Sequence, residues 1–482
     1  MITHFRTEYD RYEGIAPGGY IINEYFTHPL REGITLVTTR YRAWVALDDE
    51  EYDLLQKHKV EENPKLYSLL EDLGIILTQR NLDDITKIHT QRYAYVNQPP
   101  SLFIMVPTNR CNQRCTYCHA KVELATKKGP EWDMTEEIGY QTVDFFYSVP
   151  KVSEKFRIEF QGGEVLLRYR FVQKLMDYAM ERGEKEGRSV SFAMVTNLTL
   201  MKDWIAEDIK QRGNIELASS LDGPVEVHDK QRFDVAGKGT YDKVIYWIKR
   251  LREKYDINVG LMPTVTVNHL DDAKELIDEY IELGVTYIPI RQLNNVNPVE
   301  KTWAERTTVD EYVDLWKTSL EYITEKNRTG THVEEGETIH YLQNMLTISD
   351  DFMCQRRPCG AAMSQITVDQ KGDVYVCDLA RSLNEFCMGN VMTHTYDQII
   401  TSESAMGVRS VSSETMPKCN SCAFNSYCGH CQVRSFYQHG SPMPEGPDDF
   451  ECEKNLEMIP YLFNKLIDDE DPDREILENW IN

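Results

Sequence analysis

The feature that most constrains the fold is a repeated alternation of short apolar runs with amphipathic stretches, beginning at Ser101. Repeated strand and helix units of this kind form a parallel sheet. Because a complete barrel has eight such units, the six found here predict an α/β fold with a partial (β/α)6 barrel or an open sheet. Functional groups are then expected at the carboxyl ends of the strands. The predicted strands are SLFIMVPT, KFRIEFQG, SFAMVTN, IELASSL, VGLMPTVTV and TYIPIRQL.

Two regions of different character flank this alternation. The first 95 residues read as a small α+β unit, with strand-like pieces before two helical stretches, and NQPP at 97–100 marks a boundary. After about residue 300, helices lead into a cysteine-rich region with little apolar material of its own, so we expect bound metal to hold it together. These changes predict domains at residues 1–95, 96–310 and 311–482.

Composition limits the partners of the chain. Lys plus Arg number 53 against 78 Asp plus Glu, and this net charge of -25 argues against nucleic acid as a partner. Membrane association is not expected, since no apolar run is long enough to span a bilayer. The polar start MITHFRTEYDRYEG lacks the apolar run of a signal peptide and predicts a cytoplasmic protein. In that compartment twelve cysteines indicate metal binding or catalysis rather than disulfides.

Three cysteines, Cys111, Cys115 and Cys118, come directly after the first predicted strand. Three thiolates are too few for a closed zinc site unless a fourth ligand such as His119 joins them. A 4Fe-4S cluster held by three thiolates would keep one iron open for a substrate or cofactor. The pattern C-x3-C-x-aromatic-C, with Tyr117 as the aromatic residue, resembles the cluster loop of the radical S-adenosylmethionine (SAM) superfamily. This resemblance implies SAM bound at the open iron and its reductive cleavage to a 5'-deoxyadenosyl radical that abstracts hydrogen from substrate.

Polar residues at the ends of the following strands extend the resemblance in the family order. QGGE resembles the motif that receives the methionine amino group of SAM, and SLDG resembles an element near the SAM carboxylate and the substrate pocket. Each motif taken alone is as typical of a turn or a helix cap. Arg291, after the sixth strand, is expected either to meet a carboxylate or to form a surface ion pair. The residues of these strand ends that the resemblance assigns to SAM binding are Gly162, Gly163, Glu164, Thr196, Asn197, Ser220 and Asp222.

The C-terminal cysteines resemble those of the SPASM domain, which carries two auxiliary 4Fe-4S clusters. The pattern is C-x12-G-x4-C from Cys359, then C-x2-C-x5-C-x2-C from Cys419, then Cys452. The last internal spacing departs from the usual C-x3-C, and C-x2-C-x5-C alone would admit a zinc ribbon. The resemblance implies three clusters that use eleven of the twelve cysteines, and it leaves Cys387 as a small buried hydrophobe. The implied auxiliary ligands are Cys354, Cys359, Cys377 and Cys431 for the first cluster, and Cys419, Cys422, Cys428 and Cys452 for the second.

Asp378 follows Cys377 and matches a position where some relatives have a catalytic base. Burial beside a cluster could raise its pKa toward a useful range. A turn-forming Asp is the alternative interpretation.

SPASM enzymes mostly act on peptides or proteins, and this chain most resembles the maturase of the His-Xaa-Ser peptide system. The N-terminal unit resembles a winged-helix-like precursor-peptide recognition element, in which the leader adds a strand to a sheet edge. We therefore expect a radical enzyme that crosslinks a ribosomally made peptide oxidatively, through a carbon-carbon or thioether bond, with a flavodoxin or ferredoxin as electron donor. Alternatives are a sulfatase-maturating type of enzyme that forms formylglycine, and an iron-sulfur electron-transfer or scaffold protein.

Overall fold

The computed structural model describes residues 19–481 apart from 121, 151–154, 294–295, 297–304, 348–351 and 444–449. The polar N-terminal segment from which a cytoplasmic protein was predicted lies outside the described residues. Among the residues described, no helix is long and apolar enough to cross a membrane.

The N-terminal region is built on a three-stranded antiparallel sheet followed by helices. In chain order it contains β1 (Ile21–Ile22), β2 (Phe26–Arg31), β3 (Ile34–Thr38), β4 (Trp44–Asp48), α1 (Asp49–Gln56), α2 (Pro64–Asp72), β5 (Ile76–Leu77) and α3 (Leu82–Arg92). The sheet order is β2-β3-β4, and β1 pairs with β5. Asp48 caps α1 by accepting a hydrogen bond from the Glu51 amide at 2.8 Å, which satisfies a free amide of the first turn. The region has its own hydrophobic cluster, which includes Leu47 and Leu70.

A parallel sheet forms the centre of the molecule, as the alternation predicted. This part contains β6 (Leu102–Met105), β7 (Arg110–Cys111), β8 (Glu123–Leu124), α4 (Glu136–Ser148), β9 (Lys155–Phe160), α5 (Tyr169–Glu186), β10 (Ser189–Val195), α6 (Asp203–Arg212), β11 (Ile215–Ser219), α7 (Val225–Gln231), α8 (Tyr241–Tyr255), β12 (Val259–Leu261), α9 (Ala273–Glu282) and β13 (Tyr287–Ile288). Strands β12, β11, β10, β9 and β6 lie side by side and parallel. The α/β class and the partial, open barrel are confirmed.

The C-terminal region extends this sheet. It contains α10 (Val309–Arg328), β14 (Glu334–Glu335), α11 (Gly336–Leu346), β15 (Gln365–Val368), β16 (Asp373–Tyr375), β17 (Cys387–Asn390), α12 (Tyr396–Ile400), α13 (Glu403–Ser410), α14 (Pro417–Asn420), α15 (Gln432–His439), α16 (Phe450–Ile467) and α17 (Arg474–Asn479). Strand β15 pairs in parallel with β6, and β16 and β17 follow antiparallel, which gives an eight-stranded sheet.

Two details differ from the sequence prediction. The sixth strand, β13, pairs with β14, and the segment after it joins the fifth unit through an isolated bridge between Val265 and Gln292. The C-terminal region also shares the hydrophobic core of the central sheet, since Ile366 and Phe424 belong to the same buried cluster as Phe103. Apolar packing therefore contributes to holding this region in place. The domain boundaries remain predictions.

The central strands alternate between two environments. On β9, Phe156, Ile158 and Phe160 are buried, whereas Arg157 and Glu159 on the opposite face are half-buried. This period of two follows from the pleat of a strand. The apolar face packs under the helices, and the other face lines the interior of the open barrel.

Candidate active site and cysteine groups

The first cysteine loop leaves the central sheet directly after β6. Cys111 ends β7, which pairs with β8, so the loop folds back on itself. Buried Arg110 anchors it, because its Nε lies 2.8 Å from Asp133 Oδ1 and its Nη1 donates to the Ala125 carbonyl at 2.6 Å. Burial raises the pKa of the Cys111 thiol, and nearby Glu164, Cys115 and Cys118 raise it further. The thiols of Cys115 and Cys118 therefore lie near that of Cys111.

Two glycines at the end of β9 let the chain pack against this loop. Gly162 has a φ of +139°, and a Cβ there would lie 2.4 Å from the Thr108 carbonyl oxygen. A Cβ on Gly163 would lie 2.1 Å from the carbonyl oxygen of Arg110. Residues with a side chain cannot fit, so the glycines place the QGGE turn on the backbone that leads to Cys111.

Glu164 joins the ends of two strands. Its buried carboxylate accepts hydrogen bonds from Thr196 Oγ1 at 2.6 Å, the Asn197 amide at 2.8 Å and the Leu166 amide at 2.9 Å. Burial raises the pKa of this carboxyl, although the hydrogen bonds act in the opposite direction. The side chain of Asn197 in turn lies 3.9 Å from Cys111 Sγ. The structure therefore brings these predicted SAM-binding residues together beside the first cysteine loop.

Asp222, at the end of β11, is fully buried and uses both carboxylate oxygens within the chain. Burial raises its pKa, but Arg232 and the other polar neighbours outweigh this effect and hold the pKa below its usual value. The carboxylate accepts from Tyr117 OH at 2.5 Å, Gln231 Nε2 at 2.9 Å, Arg232 Nε at 2.9 Å and the Thr264 amide at 3.0 Å. Tyr117 belongs to the cysteine loop, and Arg232 Nη1 lies 3.9 Å from Cys115 Sγ. Asp222 thus positions the loop.

Sequence analysis missed Gln231 and Arg232 because no motif marks them. The sequence places both at the end of a short helix, ten residues or fewer after Asp222. Only the fold shows that this helix turns back on SLDG.

Two buried histidines hold the backbone of Asp222. His228 Nδ1 accepts from the Asp222 amide at 3.3 Å, and His269 Nε2 donates to the Asp222 carbonyl at 2.8 Å. Burial lowers the pKa of His228 to about 4 and also lowers that of His269. Both rings are therefore neutral at pH 7, as required by the hydrogen bond that Nδ1 accepts in each ring, which for His269 comes from the Thr266 amide at 3.1 Å.

The remaining predicted SAM-binding residues are less engaged. Ser220 is half-buried just after β11. Arg291 is exposed, and its Nη1 lies 2.7 Å from Met262 Sδ. The charge of Arg291 lowers the pKa of both Asp378 and Cys354, so Arg291 faces the cysteine-rich region. Its contact with a substrate or cofactor carboxylate remains a prediction.

The C-terminal cysteines gather into two groups. Burial raises the pKa of the Cys377 thiol, and Cys431, Cys359 and Cys354 raise it further. In the same way, burial and then Cys422, Cys452 and Cys419 raise the pKa of Cys428. These groups correspond to the two ligand sets that the sequence resemblance implied, although ligation itself remains a prediction. Cys387 lies on β17, half-buried.

None of the twelve cysteines, all of which lie in the described part of the chain, forms a disulfide. Within the described part of the chain, no three or more His, Cys, Asp or Glu side chains are close enough to hold a single metal ion. A 4Fe-4S cluster needs a wider arrangement of ligands than a single metal ion, because each of its thiolates binds a different iron atom. Cysteines gathered in groups of three and four, which would lose their protons on binding iron, suit such clusters.

Cys428 receives a hydrogen bond from a buried amide. Asn455 Nδ2 donates to Cys428 Sγ at 3.1 Å, and Asn455 Oδ1 accepts from Tyr341 OH at 2.5 Å. The tyrosine fixes the orientation of the amide, so the N–H group faces the sulfur. Sequence analysis missed this pair because the two residues are 114 positions apart.

Asp378 lies between the first cysteine loop and the first C-terminal group. Its Oδ1 lies 3.0 Å from Arg381 Nε, and its Oδ2 lies 3.3 Å from His119 Nε2. Burial raises the pKa of Asp378, but Arg381 and His119 outweigh it and lower the pKa to about 2. The expectation that burial would raise this pKa was therefore wrong. Arg381, three residues further along the chain, was the available signal.

Comparison with protein families identifies two domains in this chain. The radical SAM superfamily matches residues 105–279, and an iron-sulfur cluster-binding domain, SPASM, matches residues 359–423. The first match covers the central strands from the end of β6 to α9, including the first cysteine loop. The second match covers four of the eight cysteines in the two C-terminal groups.

Individual proteins show similarity over most of the chain. A cysteine-type anaerobic sulfatase-maturating enzyme from Clostridium novyi is 23% identical over 389 residues, which is 76% of this chain and 98% of that protein. The structure of native anSMEcpe with bound AdoMet has a TM-score of 0.66 at 21% identity and covers 79% of this chain and 100% of its own. Streptococcus suis SuiB bound to precursor peptide SuiA has a TM-score of 0.51 at 16% identity, over 90% and 100% of the two chains. These structural similarities support the fold.

Proposed function

We propose that this chain, which is a radical SAM enzyme with a C-terminal SPASM domain, oxidatively crosslinks a ribosomally made precursor peptide. The observation that carries the proposal is the location of Asp378, which contacts His119 of the first cysteine loop and directly follows Cys377 of the first C-terminal group. Radical formation at one group and removal of an electron at the other would both take place next to one substrate volume.

Three 4Fe-4S clusters complete the proposed site. Cys111, Cys115 and Cys118 would hold the cluster that binds SAM, and the two C-terminal groups would hold the auxiliary clusters. When bound, the first cluster and SAM supply a 5'-deoxyadenosyl radical that abstracts a hydrogen atom, as the family resemblance implies. The two four-cysteine groups would saturate their clusters, which suits electron transfer rather than substrate binding.

The residues of this chain would position the reactants. Gly162 and Gly163 keep the QGGE turn against the cysteine loop, and Asp222 fixes Tyr117 and Arg232 beneath it. The backbone at the strand ends then lies beside the three thiols, where SAM would bind. Asp378 has a low pKa and is already held by Arg381 and His119, so its carboxylate would orient the substrate or accept a proton only after those contacts change.

A peptide substrate suits the N-terminal region. In the sheet order β2-β3-β4, the outer strands have one unpaired edge each among the described strands. An extended leader peptide could add a strand there through backbone hydrogen bonds. SuiB, which has a similar fold, is bound to a precursor peptide in one structure, and this supports a peptide as the substrate class. A flavodoxin or ferredoxin is the proposed reductant.

The second candidate function is oxidation of a Cys or Ser residue to formylglycine. The similarity to a cysteine-type sulfatase-maturating enzyme over 76% of the chain favours this oxidation as strongly as the crosslink. Both reactions would use the same radical and differ in the fate of the substrate radical. A crosslink closes a new bond within the peptide, whereas formylglycine carries an aldehyde.

Reaction of the product with a hydrazide separates the two candidates. The reconstituted enzyme is incubated with SAM, dithionite and peptides from small reading frames beside its gene, and the products are analysed by mass spectrometry. Loss of two hydrogens without hydrazide labelling supports the crosslink, and hydrazide labelling supports formylglycine. Absence of 5'-deoxyadenosine with every reductant would reject both and favour an electron-transfer or scaffold protein.

A further inference from the structure

A cavity of about 540 Å³ lies against strands β9 to β12 of the central sheet and extends to the end of α6 and to the segment that precedes β12. Its lining includes Glu159 on β9, Ala193 on β10, Ala218 on β11 and Gly260 on β12. Three of these four residues have a side chain of one carbon or none. The cavity exists because these neighbouring strands place small residues on the face that borders it.

Pairing across the strands locates Glu159 in this cavity. Its partner on β10 is Ala193, whose partner on β11 is Glu216. The next row pairs Ala218 with Gly260. Glu159 therefore borders open space along the sheet, and the small Ala193 separates it from the next acidic residue.

The other charged side chains of the cavity have partners of opposite charge. Arg157 forms an ion pair with Glu216, and Lys210 pairs with Asp256 at 2.9 Å. In the described part of the chain, Glu159 accepts a hydrogen bond from the neutral Gln161 amide and has no ion pair. Arg157 acts on Glu159 only at longer range and is paired with Glu216, so no cation of the described residues forms an ion pair with Glu159. Burying a carboxylate in this way costs free energy, and a bound cation would recover part of it.

Glu159 is linked to the candidate active site through Gln161, the first residue of the QGGE turn, which donates the hydrogen bond to it. Burial raises the pKa of Glu159 and the Gln161 hydrogen bond lowers it, while the negative charges of Asp378 and Glu216 raise it and the positive charge of Arg157 lowers it. Asp378 is thus close enough to act on Glu159.

We propose that this cavity takes a positively charged side chain of the substrate peptide and that Glu159 binds its ammonium or guanidinium group. The proposal rests on the proposed function in one respect, namely that the ligand is a side chain of a peptide. The modified segment would then contain a Lys or Arg close in sequence to the residue that loses hydrogen. A carboxylate at this depth discriminates by charge, because a neutral or acidic side chain would leave it unpaired.

The test uses small probes, so that it does not depend on peptide turnover. Binding of n-butylammonium and of n-butanol to the reconstituted full-length enzyme is measured by calorimetry at low salt. Ligands of this size bind in about the millimolar range. We expect the cation to bind about tenfold more tightly than the alcohol, since a charge-assisted hydrogen bond adds to the same apolar contact.

Three variants test which residue produces the preference for the cation. Glu159→Gln keeps the shape of the side chain and should abolish the preference for the cation. Ala218→Leu should weaken binding of both probes by filling the cavity. Asp256→Asn removes one negative charge at the rim of the same cavity, where the side chain is 94% exposed, and should retain the preference.

Equal binding of the two probes, or a preference that survives in Glu159→Gln, would overturn the proposal. Either result would leave the proposed peptide modification intact, since no SAM or peptide is used. Conversely, a normal preference for the cation in an enzyme that modifies no peptide would reject the proposed function and retain the cation site.

Discussion

His119 Nε2 lies 3.3 Å from Asp378 Oδ2, and each residue directly follows a cysteine of a different group. Cys118 precedes His119 in the loop after β6, and Cys377 precedes Asp378 in the C-terminal region. The two regions are far apart in sequence, yet β15 places them side by side by pairing with β6. One polar contact therefore joins the first candidate cluster loop to the first auxiliary group.

Replacement of Gly163 by Ala should disrupt the first cluster site. The new Cβ would lie 2.1 Å from the Arg110 carbonyl oxygen, so the QGGE turn or the cysteine loop must move. We expect loss of 5'-deoxyadenosine formation and a decrease of about four irons per chain, which is one cubane. Gly407→Ala is the matched control, because nothing lies within 4 Å of that position. Unchanged SAM cleavage in Gly163→Ala would contradict the assigned packing.

Asp222→Asn should destabilise the protein more than Tyr117→Phe. The first change leaves the buried Arg232 without its anionic partner, which costs about 3 kcal/mol. The second change removes a single hydrogen bond, worth about 1 kcal/mol. The apparent unfolding midpoint in urea, measured on protein with full iron content, gives the comparison. Equal midpoints for the two variants would argue against Asp222 as the residue that positions the loop.

Acid should destabilise the fold through His228. Its pKa in the folded protein is about 4, below the ordinary value near 6.5, so the unfolded chain binds a proton that the folded chain does not. Stability should therefore fall as the pH decreases from 6.5 toward 4, by about 3 kcal/mol at most. The His228→Gln variant keeps a neutral donor and acceptor and should show a shallower pH dependence. Identical slopes for the two proteins would refute this assignment, and comparing them cancels the effect of acid on the clusters.

Asn455→Leu should lower the reduction potential of one auxiliary cluster. An N–H group directed at a ligand sulfur stabilises the reduced cluster, which carries more negative charge. Tyr341→Phe frees the amide to rotate and should give a smaller shift in the same direction. Potentiometric titration followed by electron paramagnetic resonance measures both shifts. Asn464→Leu, on the same helix as Asn455, is the control and should leave the potential unchanged, because the Asn464 amide donates to the Pro460 carbonyl.

Sequence alone predicted the central sheet because hydrophobic periodicity depends on local spacing, whereas the groups of cysteines were implied by the family resemblance. Hydrophobic periodicity defines strands such as β9, and QGGE and SLDG follow strands whose ends meet at one edge of a parallel sheet. The pairing of β15 with β6 was not predictable, since the neighbour of a strand is determined by packing over the whole chain. The partners of Asp222 were missed for the same reason.

The charges that surround Asp378 could not be predicted from the sequence either. Burial next to Cys377 was inferred correctly, and burial alone does raise the pKa of a carboxyl. The contacts with Arg381 and His119 reverse this effect. Their geometry depends on the turn after Cys377 and on a loop more than 250 residues earlier in the chain.

The most direct test of whether this peptide-modifying radical enzyme holds three clusters is to measure the number of iron atoms per chain in protein reconstituted without oxygen. The account predicts about 12 irons, from three cubanes of four. Substituting Cys111, Cys115 and Cys118 by Ala together should leave about 8, and substituting Cys419, Cys422 and Cys428 together should also leave about 8. About 4 irons in the unsubstituted protein, with zinc at the other cysteines, would contradict the auxiliary clusters and the proposed oxidative crosslink.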